Sequence, residues 1–230
     1  MARRWISSAR TSTAGCVNLA GRGDAAVSEM PFVDFYARMV AGHHGAQPDS
    51  YPGSVPRGFF TAGQPGAIRL MLVLLNPGQP APHEAAVFKD ATGAQLARIV
   101  WEMSGQHLNG GHPSPTLRTM RRDIAQLFGR PLDQCGGLFM FTNLVRVTTA
   151  GNSVPDAKVV RIGADWLREE IALWRPEKVL AYGKEVAFGM LSHGVRVDAL
   201  LPHPAAVGNW LIPGRREAQV AEIRKYLGFA

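Results

Sequence analysis

The sequence predicts an α/β protein, a three-layer α/β/α sandwich around a central, mostly parallel sheet of about four strands. Two observations lead there. Two runs of strand length, residues 70–75 and the Leu-Phe-Met-Phe-Thr-Asn-Leu-Val of the second strand, are apolar nearly throughout, which suits strands covered on both faces, and two further strands are read at 178–182 and 195–201. Between them lie segments whose apolar residues recur at helical spacing, so successive strands are joined by right-handed crossovers.

In chain order, residues 1–29 are rich in Arg, Ser, Thr, Ala and Gly and show no hydrophobic periodicity. A disordered basic arm is expected there; an organelle transit peptide and an over-long start ahead of Met30 are the alternatives. A single domain is expected over 30–230. It begins with a helix over 31–40, where Phe32, Phe35, Tyr36, Met39 and Val40 share one face behind a proline. Residues 41–66, full of Gly, Pro, Asp and Ser, read as loop.

The first strand, 70–75, stops at Asn76-Pro77-Gly78, since Pro77 cannot donate to a ladder and Gly78 permits positive φ. A long loop over 79–89 leads to Val87-Phe88. Helices are predicted over 92–102 (Leu96, Ile99, Val100) and 117–128 (Leu117, Met120, Ile124, Leu127, Phe128), with loop at 104–115. The second strand is 137–147. Residues 152–155 cap a helix whose face is Val159, Ile162, Trp166, Leu167, Ile171 and Trp174, ended by Pro176. The third strand is 178–182, and Gly183 opens a short helix to Leu191. The fourth strand, 195–201, ends in Pro202-His203-Pro204-Ala205, and 215–227 forms an amphipathic closing helix.

The chain's 230 residues, 46% hydrophobic and 19% charged, are enough for one full core. No apolar run approaches the roughly 18 residues of a membrane span. Two cysteines, Cys16 and Cys135, can build neither a disulfide framework nor a four-thiolate cluster, so a reducing, cytoplasmic setting is expected. Arg3, Arg4, Arg10 and Arg22 against Asp24 and Glu29 give residues 1–30 a net +2. The other +5 of the +7 total therefore lies on the folded part, a modest bias towards a polyanion.

Three strand ends carry polar residues: Asn76, Asn143 and His203. Each alone reads as a turn former or a satisfied buried amide. Together they fall at the carboxyl side of parallel strands, where an open α/β sheet places its ligand.

The same segments resemble the uracil-DNA glycosylase superfamily. Leu75-Asn76-Pro77-Gly78 is similar to the Asn-Pro-Gly form of its first motif, and His203-Pro204-Ala205 to its second motif as the iron-sulfur branch carries it. Phe141-Thr142-Asn143-Leu144-Val145 resembles that branch's middle strand. So does the continuation through Gly151-Asn152, the Pro155-started helix, Arg175-Pro176 and Val179-Leu180-Ala181-Tyr182-Gly183. The likeness covers about 70–213 and rests on motif order and spacing.

The resemblance implies a monofunctional DNA glycosylase, a hydrolase of N-glycosyl bonds that starts base excision repair on uracil in DNA. Its base is reached by flipping, or on a single strand. His203 would donate to the leaving uracil, and Asn76 would hold the attacking water, with Pro77 and Gly78 beside it. An amide is no general base at neutral pH, so this chemistry forgoes the roughly 10²–10⁴-fold a carboxylate base supplies. Phe88 would stack on the base, and Asn143 would read N3–H and O4 of uracil. Val207, Trp210 or Leu211 would fill the vacated stack, and Arg215, Arg216 and the helix start at Lys184 would meet phosphates. DNA, single- or double-stranded, is the expected partner of a monomer.

This chain departs from that pattern in three places. It lacks the four cluster cysteines (Arg146 follows the middle strand), so neither a metal nor any other cofactor is expected. Leu74 stands where the family usually has Gly close by. His112-Pro113-Ser114-Pro115 spells another second motif but precedes the middle strand, and reads as ordinary loop. Hypoxanthine or xanthine is an alternative target, and a non-catalytic nucleic-acid-binding module on this fold an alternative class. A flavodoxin-like or nucleotide-binding domain is opposed by the missing Gly-rich phosphate loop.

Overall fold

The computed structural model describes residues 32–46, 59–78, 91, 93–110, 114–149, 154–205, 212 and 214–229. The chain separates into two units, Met1–Phe32 and Val33–Ala230, and the fold below is that of the second.

Its sheet is built around β2 (Leu70–Leu74), whose five residues are all buried, as an unbroken apolar run requires. On one side β2 pairs in parallel with β3 (Phe139–Asn143), on the other with β4 (Lys178–Tyr182), which pairs in parallel with β5 (Ala199–Leu201). A two-residue strand, β1 (Phe60–Thr61), joins the far side of β3 antiparallel, giving the order β1-β3-β2-β4-β5. The fold is thus mixed α/β, with five strands and six helices among the described residues.

β1 leaves no signal in the sequence because it is short and sits among loop-forming residues. Thr61 secures it by donating its hydroxyl to the Phe139 carbonyl at 2.6 Å. β5 is three residues long where seven were expected. The pairing starts late, at Ala199: just ahead of it the Asp198 carboxylate accepts from Val179 N–H at 2.7 Å, while its own N–H donates to Val179 O. β3 likewise stops at Asn143. The next residues still bond the end of β2, through Leu144 N–H to Leu74 O and Val145 N–H to Leu75 O, both 2.7 Å.

The helices are α1 (Val33–Ala46), α2 (Gly93–Asn109), α3 (Pro115–Phe128), α4 (Ala157–Trp174), α5 (Lys184–Leu191) and α6 (Arg215–Leu227). α2 runs a further two turns beyond the predicted end, through Ser104 and Gly105. That glycine is there for contact, since a Cβ on it would collide with the Phe60 ring of β1. α4 is capped by Asp156, whose carboxylate accepts from Lys158 N–H at 2.7 Å, and not by 152–155 as expected.

Helices cover both faces of the sheet, an arrangement compatible with an α/β sandwich. Leu70, Leu72, Leu74, Phe139, Phe141, Leu180, Tyr182 and Leu201 form one face, packed on Met120, Ile124, Leu127 and Phe128 of α3 and Val220 and Leu227 of α6. Each leucine so buried stabilises the fold by roughly 1.5–3 kcal/mol. Thr142, pointing to the other face, hydrogen-bonds Glu170 of α4 at 3.0 Å, and Tyr36 of α1 donates to the same carboxylate. No helix among the described residues is long and apolar enough to cross a membrane.

Candidate active site

Parallel strands end at a common edge, so the carboxyl ends of β2, β3, β4 and β5 stand side by side. β2 delivers Asn76, β3 delivers Asn143, β4 delivers Gly183, and β5 is followed by Pro202 and His203. β4 lies between β2 and β5, which puts the first and last of these tips two strand spacings apart, about 10 Å.

The imidazole of His203 is held by its own turn. Ala205 N–H donates to Nδ1 at 3.1 Å. A nitrogen that accepts carries no proton, so this bond selects the neutral tautomer with its hydrogen on Nε2. The environment works in the same direction. Burial pushes the His203 pKa below its ordinary value, the Arg216 charge pushes it further, and Glu185 opposes both. Gly183, just ahead of α5, sits at φ +107, a backbone conformation that side-chain-bearing residues rarely adopt, and packs within ordinary contact of His203 Cβ.

Asn76 is half-buried, and its Nδ2 donates to the Thr149 hydroxyl at 3.0 Å. That bond orients the amide and leaves Oδ1 as its acceptor side. Nothing local in the sequence marks Thr149; it reaches Asn76 only because the segment after β3 folds against the end of β2. Thr149→Val should leave the fold intact but slow any chemistry that depends on Asn76, with Thr149→Ser restoring most of the rate. A Thr149→Val protein as fast as wild type in single-turnover assays would show that the hydroxyl orients nothing.

The remaining residues divide. Pro77 is buried and Gly78 exposed. Asn143, 3% exposed, closes β3 opposite Leu74. Lys184 is exposed at the first position of α5, directly after Gly183, and Arg215 is exposed at the first position of α6. Arg216 differs from its expected role at a phosphate. It is turned inward, 6% exposed, with its guanidinium forked on the Asp123 carboxylate at 2.6–3.2 Å. Phe88, Val207, Trp210, Leu211 and His112 lie outside the described residues. Among the described residues no group of three or more His, Cys, Asp or Glu side chains could hold a metal ion.

No protein-family model matches this chain, and no curated protein sequence matches it.

Proposed function

We propose that this protein is a monofunctional DNA glycosylase on a uracil-DNA glycosylase-like fold, releasing uracil or a related deaminated base from DNA. The observation that carries the reading is the imidazole of His203, set as a neutral Nε2–H donor by the Ala205 amide on the edge that also bears Asn76.

The reaction breaks the bond between deoxyribose C1′ and the base. Positive charge develops on the sugar and negative charge on the departing ring, so a preorganised donor aimed at the ring is the largest expected contribution. The Nε2–H of His203 is that donor. A neutral ring suits it, because it can strengthen its hydrogen bond as charge develops without having bound an anion beforehand. Asn76, its Nδ2 engaged by Thr149, accepts from a water through Oδ1 and orients it towards C1′. A substrate reaches this edge as an extruded nucleotide or a single strand. Lys184 and Arg215, at helix starts near the same edge, suit the flanking phosphates.

Asn143 serves discrimination in this scheme. Cytosine would leave both halves of its amide mispaired, so Asn143→Ala should narrow the preference for uracil over cytosine, and an unchanged preference would remove it from the pocket.

The reading is tested by base release from single- and double-stranded oligonucleotides carrying uracil, hypoxanthine or xanthine. Release of uracil is expected. Binding to such DNA with no release of any of the three would select a non-catalytic nucleic-acid-binding module instead.

A further inference from the structure

Beneath the turn that carries His203 runs a buried polar chain with no part in the scheme above. Tyr182, the last residue of β4 and fully buried, donates its hydroxyl to Asp123 Oδ2 at 3.0 Å. Asp123, on α3 and 1% exposed, also receives Arg216 of α6, through Nε at 3.0 Å and Nη2 at 2.6 Å. The Arg216 Nη2 reaches on to the carbonyl of Pro202, the residue before His203, at 3.3 Å. A strand, two helices and the His203 turn are therefore joined through one carboxylate and one guanidinium.

Stability alone does not account for this choice. A buried ion pair roughly breaks even against well-packed apolar residues, because desolvating both charges cancels most of their attraction. What the pair supplies that leucines could not is a directed donor to the Pro202 carbonyl and a fixed positive charge beside the imidazole. The charged groups facing His203 are Arg216 from α6 and Glu185 from α5, and they act in opposite senses. Asp123, on the far side of the guanidinium, holds that cation in place.

We infer that Arg216, held by an Asp123 carboxylate that Tyr182 also engages, is the positioning residue of His203: through the Pro202 carbonyl it fixes the 202–205 turn, and with it the Ala205 N–H that selects the Nε2–H tautomer. The inference rests on the reading of His203 as the donor to the leaving base, and it places the partner of that donor on a helix whose first residue, Arg215, faces solvent.

The test compares full-length wild type with Arg216→Lys, Arg216→Gln and the double variant Asp123→Asn/Arg216→Gln, which leaves no unpaired buried ion should the single Gln variant fail to fold. Imidazole NMR follows the titration and tautomer of His203 in each. In the Gln variants the titration midpoint is expected to rise towards the ordinary histidine value, with loss of the single Nε2–H tautomer, whereas Lys, which keeps the charge, stays close to wild type. Uracil release should slow at least tenfold in kcat with little change in KM, within the about 10²-fold that an ångström of misplacement costs. An unchanged His203 midpoint and tautomer in the double variant would overturn the inference. If the wild-type protein releases no base while the titration still moves, Arg216 remains the positioning residue and only the donor role of His203 falls.

Discussion

Glu170→Ala is expected to destabilise the fold by about 3–5 kcal/mol, the usual cost of orphaning a buried charge. Glu170 and Arg146 are both fully buried and paired with each other. The same carboxylate accepts from the Tyr36 hydroxyl and from Thr142 Oγ1, and Trp174 Nε1 donates to the Tyr36 oxygen at 3.2 Å. α1, β3 and α4 thus meet on one acidic side chain. Burial, and secondly the Glu170 charge, hold the Tyr36 phenol well above its ordinary pKa, so it remains the donor throughout the physiological range.

Arg146 has little to fall back on, because its Nε is buried without a partner among the described residues. Tyr36→Phe, which leaves the ion pair in place, should cost only about 1–3 kcal/mol. Replacing both partners with Arg146→Met/Glu170→Leu should recover most of the loss. Urea unfolding of the four proteins measures this directly. A loss under 1 kcal/mol for Glu170→Ala would mean that the network is not the tie it is taken to be.

His203→Ala is expected to lower kcat for base release by about 10²–10³-fold, the typical effect of removing one donor to a developing anion. DNA binding should persist, since the lost interaction forms only as charge builds on the leaving ring. The pH profile provides a second check. In the proposed reaction the working form is the neutral imidazole, and burial with the Arg216 charge lowers the His203 pKa in the folded protein. Activity should therefore hold as pH falls through the ordinary histidine range and decline only below it. The same shift costs stability on the acid side: between the folded and unfolded pKa values the unfolded chain binds more protons, so stability present above the ordinary value is lost as pH falls towards the depressed one. A rate that falls already near the ordinary histidine pKa would indicate an exposed, unassisted ring.

The parallel strands were legible because their apolar runs leave a helical or amphipathic reading little room. Met71 and Val73 face one layer of helices while Leu70, Leu72 and Leu74 face the other, and a run that must satisfy both layers shows no alternation. The placement of Asn76 and His203 at one edge is legible for a related reason: the strand ends are clear, and in a parallel sheet the ends share an edge. β1 was not legible, since two residues held by a partner 78 positions away leave no periodic signal.

The buried carboxylates Asp123 and Glu170 each carry a local mark in the sequence. Asp123 stands on the apolar stripe of α3 between Met120 and Leu127, and Glu170 lies on that of α4 between Leu167 and Trp174. A carboxylate at such a position must find a cation in the fold, but which one depends on the tertiary arrangement. Adjacent arginines at a helix start usually face water, so the sequence points Arg216 to the surface. The pair splits, Arg215 outward and Arg216 inward, because consecutive helical residues point about 100° apart.

The central claim is that Asn76 and His203, carried by strands two spacings apart, act on one extruded base. Single-turnover uracil release by Asn76→Ala, His203→Ala and the double variant, with oligonucleotide binding measured in parallel, tests it most directly. Each single variant is expected to lose at least tenfold in rate while still binding DNA. The double variant should lose less than the product of the two, as for groups that serve one transition state. Full activity in both single variants would contradict the claim.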